Sequence, residues 1–402
     1  MIYLDNNSTT PLDPRVLARM LPFFEGKWGN ASSREHAFGW DAREAVEDAR
    51  SEVAALLNAR QNEIFFTSGA TESIHLALHG LFPNVTQDHR APTSASTAGG
   101  ILTSRVEHEA VLSTCAQLNK RGVPVSFLEV DPTGQLDLTA LASACASHRP
   151  KVLALLAANN ETGVLFPARE CAALAHEHGA LFFIDAAQAL GKVPLDSQVD
   201  GFDLAAFSAH KLNGPKGIGA LFVRGGREAI PLEPQITGGG QEGGMRGGTL
   251  NVPGIVGFGE ACRLARLESA EEIPRILVLR NRLESALISR FPEIRINGDR
   301  EHRLATTSNL RFPGIDARIL IRDMHDVAVS TRAACSSGSS EPSHVLKAMR
   351  MRDEDAFASV RFSLGRFTTE AEIDQAIEKT EASYRKLRGL STTISPAISS
   401  PT

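Results

Sequence analysis

The sequence predicts an α/β protein built on a mainly parallel central sheet, followed by a smaller α+β domain. Three observations carry this reading. Short apolar runs alternate with amphipathic helical segments from about residue 40 to residue 260. Most helical segments are followed directly by an apolar run, the pattern of a sheet covered on both faces. After Gly254 the alternation stops and a long helical stretch begins. At 402 residues the chain has room for two or three domains. Residues 15–256 are assigned to the large domain. Residues 1–14 and 257–390 are assigned to the small one, and 391–402, holding Ser, Thr and Pro, to a disordered tail.

Taken in order, strands are expected around residues 63–67, 100–104, 123–128, 152–157, 180–184, 203–207 and 219–223. Helices are expected around 40–58, 71–80, 109–121 and 167–178, then a long one near 255–291. Strand-like segments follow around Arg295, Asn309 and Val327, with helices after Pro342 and Thr369. The stretch 84–99 is rich in Ser, Thr and Ala and reads as a surface insertion. No internal repeat is found.

Hydrophobic content of 42% and charged content of 22% fit a soluble globular enzyme. A net charge of −5 gives no overall pull toward nucleic acid or anionic membrane, so neither is expected as a partner. No apolar run approaches the roughly 20 residues that span a bilayer. The start, Met1-Ile2-Tyr3-Leu4-Asp5, lacks the basic and apolar regions of a signal peptide. The 5 cysteines are odd in number and widely spaced, so neither a disulfide framework nor a metal site is expected. A reducing, cytoplasmic setting fits them.

The segment Ser208-Ala209-His210-Lys211 is the most informative. It closes an apolar strand and stands 26 residues after Asp185, which closes another. Ligands of open parallel sheets gather at the carboxyl ends of strands. A lysine and an acid placed there meet the needs of pyridoxal phosphate (PLP), which takes a lysine for its Schiff base and an acid for its pyridinium nitrogen. A solvated loop lysine is the plain alternative. Thr67-Ser68-Gly69-Ala70-Thr71-Glu72 follows a strand and opens a helix, where backbone N–H groups can bind phosphate; the same string also serves as an N-cap. His108, Asn160 and Gln188 also lie just past apolar strands. The loop Gly238 to Thr249 is dense in glycine but contains no P-loop motif; close approach to an anion or a second chain, or a flexible linker, both fit it. Cys335 sits among small polar residues and reads as an exposed nucleophile on a mobile loop. Arg361 lies within an apolar strand and calls for a carboxylate partner, from a substrate or from the protein itself.

Together these strings resemble the cysteine desulfurases of the NifS/IscS-like kind, within the PLP-dependent fold-type I (class V aminotransferase) superfamily. The resemblance runs from Tyr3-Leu4-Asp5-Asn6-Asn7 to the helix after Thr369, and the Cys335 loop looks like that of the long-loop subgroup. It implies that Lys211 forms the Schiff base and carries protons, and that Asp185 pairs with the pyridinium nitrogen. Gln188 would bond the ring oxygen. His108 would stack on the ring, and it is also a candidate to draw the proton from the thiol. Ala70, Thr71, Ser208 and His210 would hold the phosphate, joined by Thr249 from a second subunit. Asn160 and Arg361 would grip the carboxylate of L-cysteine. Cys335 would take the sulfur as a persulfide, leaving L-alanine, and pass it to an acceptor protein. Iron–sulfur assembly, tRNA thiolation and DNA phosphorothioation are the destinations this implies. A selenocysteine lyase or another class V PLP enzyme is the alternative, and Cys335 argues against it. A sulfur-relay module that has lost its activity is a further one, against which Lys211, Asp185, His108 and Gln188 stand together.

The sequence departs from the family pattern in several places. Thr331-Arg332-Ala333 replaces a small glycine-bearing lead-in to Cys335, and Ala209 stands where glycine is common. Gln241 and Gly243 replace residues often His and Arg. The C-terminal tail lacks the segment with which housekeeping members dock the iron–sulfur scaffold.

Overall fold

The computed structural model describes residues 1–83, 99–331 and 341–393. Its strands are β1 (Ile2–Tyr3), β2 (Ile64–Thr67), β3 (Ile101–Ser104), β4 (Val125–Leu128), β5 (Val152–Leu156) and β6 (Leu181–Asp185). There follow β7 (Leu204–Ser208), β8 (Gly219–Val223), β9 (Arg295–Ile296), β10 (Thr307–Arg311), β11 (Val327–Ala328) and β12 (Ser359–Ser363). Seven of them form the main sheet in the order β2-β8-β7-β6-β5-β3-β4. β8 runs antiparallel to both its neighbours, and every other pair in the sheet is parallel. The carboxyl ends of β2, β3, β5, β6 and β7 therefore share one edge.

The near-continuous apolar runs are explained by burial on both faces. Phe182, Phe207 and Phe222 point into one core cluster, while Phe183, Leu204 and Leu221 point into the other. Side chains one apart on a strand face opposite ways, and here both ways lead to protein. Each such side chain stabilises the fold by about 1.5–3 kcal/mol.

A third cluster lies under a three-stranded sheet, β12-β10-β9, and a parallel pair, β1-β11. The long helix Val252–Arg290 joins the two regions. Its first half, including Phe258 and Cys262, packs into the main core, and Ile276, Leu283 and Leu287 pack into the third cluster. The chain start crosses over as well, since Ile2 pairs with Val327 and Asp5 bridges to Ser363. That crossing carries Asp5, Asn7 and Ser8 to the edge where the main strands end.

Two helices differ from expectation at their starts. The one expected from Trp40 begins at Ala37, because His36 Nδ1 accepts from the Gly39 N–H and caps it. The long helix begins at Val252, where Asn251 accepts from the Gly254 N–H.

Candidate active site

A cavity of about 410 Å³ opens at the carboxyl edge of the main sheet. Asp185 ends β6, Ser208 ends β7, and His210 and Lys211 follow in a single 3-10 turn. All four line the cavity, as do His108, Asn160, Gln188, Ala70, Thr71 and Arg361. Thr249 is exposed and is not among the lining residues of its own chain. Cys335 and Arg332 lie outside the described residues.

The phosphate-like corner is built by Ser68, Gly69, Ala70 and Thr71 at the start of the helix Ala70–Leu81. Gly69 holds φ +153 with an extended ψ of 176, a conformation essentially confined to glycine. A Cβ on Gly219 of β8 would lie 2.6 Å from Gly69 Cα, so glycine there lets the loop rest on the sheet. Glu72 accepts from the Ser68 N–H at 2.8 Å and bridges to Arg246 at 2.9 Å. The glycine-rich segment is thereby tied down rather than a free linker. Glu242, buried, receives Arg50 through two bonds of 2.8 Å and the Phe66 N–H at 2.7 Å.

Charge in the cavity is uneven. Lys211 Nζ donates to the carbonyls of Asn7 (2.5 Å) and Ser8 (2.7 Å). Lys216 also lines the wall. Burial, aided by Lys211, Lys216 and Lys192, pushes the His210 imidazole down to about 4, so its ring is neutral at ordinary pH. His210 Nδ1 lies 3.1 Å from Thr9 Oγ1. Asp185 supplies a buried carboxyl to the same cavity. Burial raises its carboxyl pKa, while His108, the Ala187 N–H at 3.0 Å and Lys211 act the other way.

Arg361 is 1% exposed and comes from β12. Its Nη2 meets Asp5 Oδ1 at 2.7 Å and Ser8 Oγ at 2.9 Å, and Nη1 meets the Asn160 carbonyl at 2.9 Å. Its buried Nε has no hydrogen-bond partner among the described residues. The carboxylate expected beside it is thus Asp5. His108 caps the helix Glu109–Lys120, its Nδ1 accepting from the Ala110 N–H at 3.1 Å. That bond engages Nδ1, so any exchange with a ligand falls to Nε2. Both described ends of the 332–340 segment reach this region. Ser330 exchanges two backbone bonds with Arg361, and Ser343 Oγ donates to Glu161 Oε2 at 2.6 Å, next to Asn160.

Sequence reasoning missed several neighbours. Asp5, Asn7 and Ser8 lay in a string quoted for its resemblance alone. Glu107, adjacent to His108, is fully buried, and burial pushes its carboxyl up to about 8 against the pull of Ser104. Lys192 stands behind Gln188. A glutamate and a lysine beside apolar runs were the available signals.

The aminotransferase class-V model matches residues 2–376. The chain belongs to the class-V aminotransferase family. Among the family's cysteine desulfurases, it is 45% identical over 392 residues to the enzyme IscS of Anaeromyxobacter dehalogenans, covering 97% of this chain and 94% of that one. It is 43% identical to the IscS of Rickettsia bellii, covering 97% and 92%. A solved NifS-like protein superposes with a TM-score of 0.85 at 35% identity, covering 95% of this chain and 98% of that one. Class-V aminotransferases of this group use PLP, and the cavity fits it. A helix N-terminus and Ser208 suit a phosphate, Lys211 suits a covalent link, and the buried carboxyl of Asp185 suits a cationic ring nitrogen.

Proposed function

We propose that the protein is a PLP-dependent cysteine desulfurase that takes sulfur from L-cysteine, yields L-alanine, and carries the sulfur as a persulfide on Cys335. One observation carries this: Lys211 and Asp185 face one cavity, in a chain of which 97% aligns with cysteine desulfurases. When bound, PLP supplies a conjugated ring that accepts electrons from the bonds being broken.

The protein's residues hold and serve that ring. Lys211 would hold the cofactor through Nζ, and the same atom would move protons to and from the substrate. Asp185 would face the ring nitrogen, whose positive charge would offset the cost of burying the carboxylate. Gln188 would donate to the ring oxygen. His108 would pack on the ring. Ala70, Thr71, Ser208 and His210 would hold the phosphate, with Thr249 of a second copy. Arg361 offers its unpartnered Nε to the substrate carboxylate, and the Asn160 side chain assists. The Cys335 thiolate attacks the substrate sulfur. The carbon–sulfur bond breaks with its electron pair left on carbon, which is protonated to alanine.

The enzyme acts as a homodimer. This is supported by Thr249 lying exposed and away from its own cavity. It is supported too by the exposed aromatic group Phe24, Trp28, Phe38 and Trp40, where Trp28 stacks on Phe38 at 5.8 Å. Large exposed apolar patches mark interaction sites. Among the described residues no helix is long and apolar enough to cross a membrane; we place the enzyme in the cytoplasm, with a sulfur-acceptor protein as its partner. The division at about residue 256 into a PLP-binding domain and a domain carrying Cys335 belongs to the same reading. The test is Cys335→Ala. It should bind PLP with an unchanged visible spectrum and release no alanine from cysteine; an active variant would sink the assignment.

A further inference from the structure

Lys192 does not line the cavity; it stands behind Gln188, four residues further along the chain and half-buried. Its ammonium donates to Gln188 Oε1 at 2.8 Å. Gln188 donates through Nε2 to the Asn7 carbonyl at 2.9 Å, and that same carbonyl accepts from Lys211 Nζ at 2.5 Å. Among the described residues the Lys192 ammonium forms no ion pair.

A glutamine amide can turn over and present oxygen or nitrogen to either side. An ammonium has three donors and no acceptor, so beside Lys192 only one orientation is stable: Oε1 toward Lys192 and NH₂ toward Asn7 and the cavity. One hydrogen of that NH₂ goes to Asn7, which leaves the second for a ligand oxygen. Electrostatics alone would not keep Lys192 in place. Burial, Lys211 and Arg361 push it down to about 7, with Glu272 opposing.

We propose that Lys192 is a positioning residue whose protonated amine locks the Gln188 amide with its donor face toward the cavity, so that the cofactor's ring oxygen meets a hydrogen. The proposal rests on the reading of the cavity as a PLP site. It has a spectroscopic consequence. A donor on the ring oxygen withdraws negative charge from it. Without the donor, the adjacent nitrogen supplied by Lys211 keeps its proton to higher pH.

The experiment is a pH titration of the visible band of bound PLP. It compares the wild type, Lys192→Met, Gln188→Ala, the double variant and Lys192→Arg. Each single truncation should raise the midpoint by about one pH unit, the scale of one lost hydrogen bond to a charged group. The double variant should match Gln188→Ala alone, because Lys192 acts through that amide. Lys192→Arg, which keeps a pure donor, should restore the wild-type midpoint. Additive shifts, or an unmoved Lys192→Met midpoint, would overturn the proposal. Should Lys192→Met not fold, Lys192→Leu replaces it with the same two outcomes. A wild type that shows no visible band with added PLP overturns the cofactor reading as well, whereas a normal band with Lys192-independent midpoints overturns this proposal alone.

Discussion

Arg361 reaches the cavity from the small sheet, gripped by Asp5 and Ser8 and carrying one unpartnered buried nitrogen. A lysine cannot reproduce that fork. Arg361→Lys should raise the KM for cysteine by about 10–100-fold, the scale of one or two charge-assisted bonds; steady-state kinetics check it, and an unchanged KM would remove Arg361 from substrate binding. Asp13 gives a pH prediction. It is buried, caps the helix Pro14–Met20, and pairs with Arg15 and Arg366. Burial alone would raise its carboxyl, but these arginine bonds hold it down at about 2. A depressed carboxyl stabilises the fold above its ordinary pKa near 4 and loses that stability as pH falls toward 2. The gap in urea midpoint between wild type and Asp13→Asn should therefore shrink from pH 5 to pH 3. A constant gap would contradict the pairing. At this scale Lys211 and Asp185 were legible, because strand ends in a parallel sheet are where ligands gather. Asp5, Asn7 and Ser8 were not, because their partners lie 153 to 356 residues away in sequence and no local pattern records that crossing.

Among the elements, the glycine-dense loop shows what composition leaves open. Its glycines fit a linker or a close approach equally well. The deciding residue is Glu242, held in the left-handed region at φ 50 and paired with Arg50. Glu242→Leu should cost about 3–5 kcal/mol, because it removes the buried partner of the Arg50 guanidinium and leaves it only the exposed Glu47 as a counter-charge; urea denaturation measures it. A loss under 1 kcal/mol would mean that the loop is held by other contacts. The helix Leu138–His148 escaped the sequence reading altogether. Its small side chains, Ala-Ser-Ala-Cys-Ala, carry little amphipathic signal, and its clearest mark is Asp137 accepting from Thr139 and Ala140. By contrast, β5, β6 and β7 were legible as unbroken apolar runs, since each is buried on both faces. The reversed direction of β8 was not, because a buried apolar run reads alike in both senses.

At the scale of the whole molecule, two sites depend on one another if Thr249 completes the phosphate corner of a second copy. Sedimentation should find a dimer. Thr249→Ala should weaken PLP binding about tenfold, the worth of one hydrogen bond to a charged group, in a titration of the visible band. A monomer with full cofactor affinity would dismiss the shared site. The sulfur route also belongs to this scale. On either side of the segment bearing Cys335, Ser330 bonds to Arg361, which lines the cavity, and Ser343 bonds to Glu161, the neighbour of the cavity residue Asn160. The central claim is that sulfur passes from cysteine to Cys335. The most direct measurement is a single turnover of the purified protein with cysteine, scoring alanine release and intact mass together. The account predicts one alanine and one added sulfur per cavity, on Cys335, removable by a thiol reductant. Alanine without the adduct, or a spectral change with neither product, would contradict it.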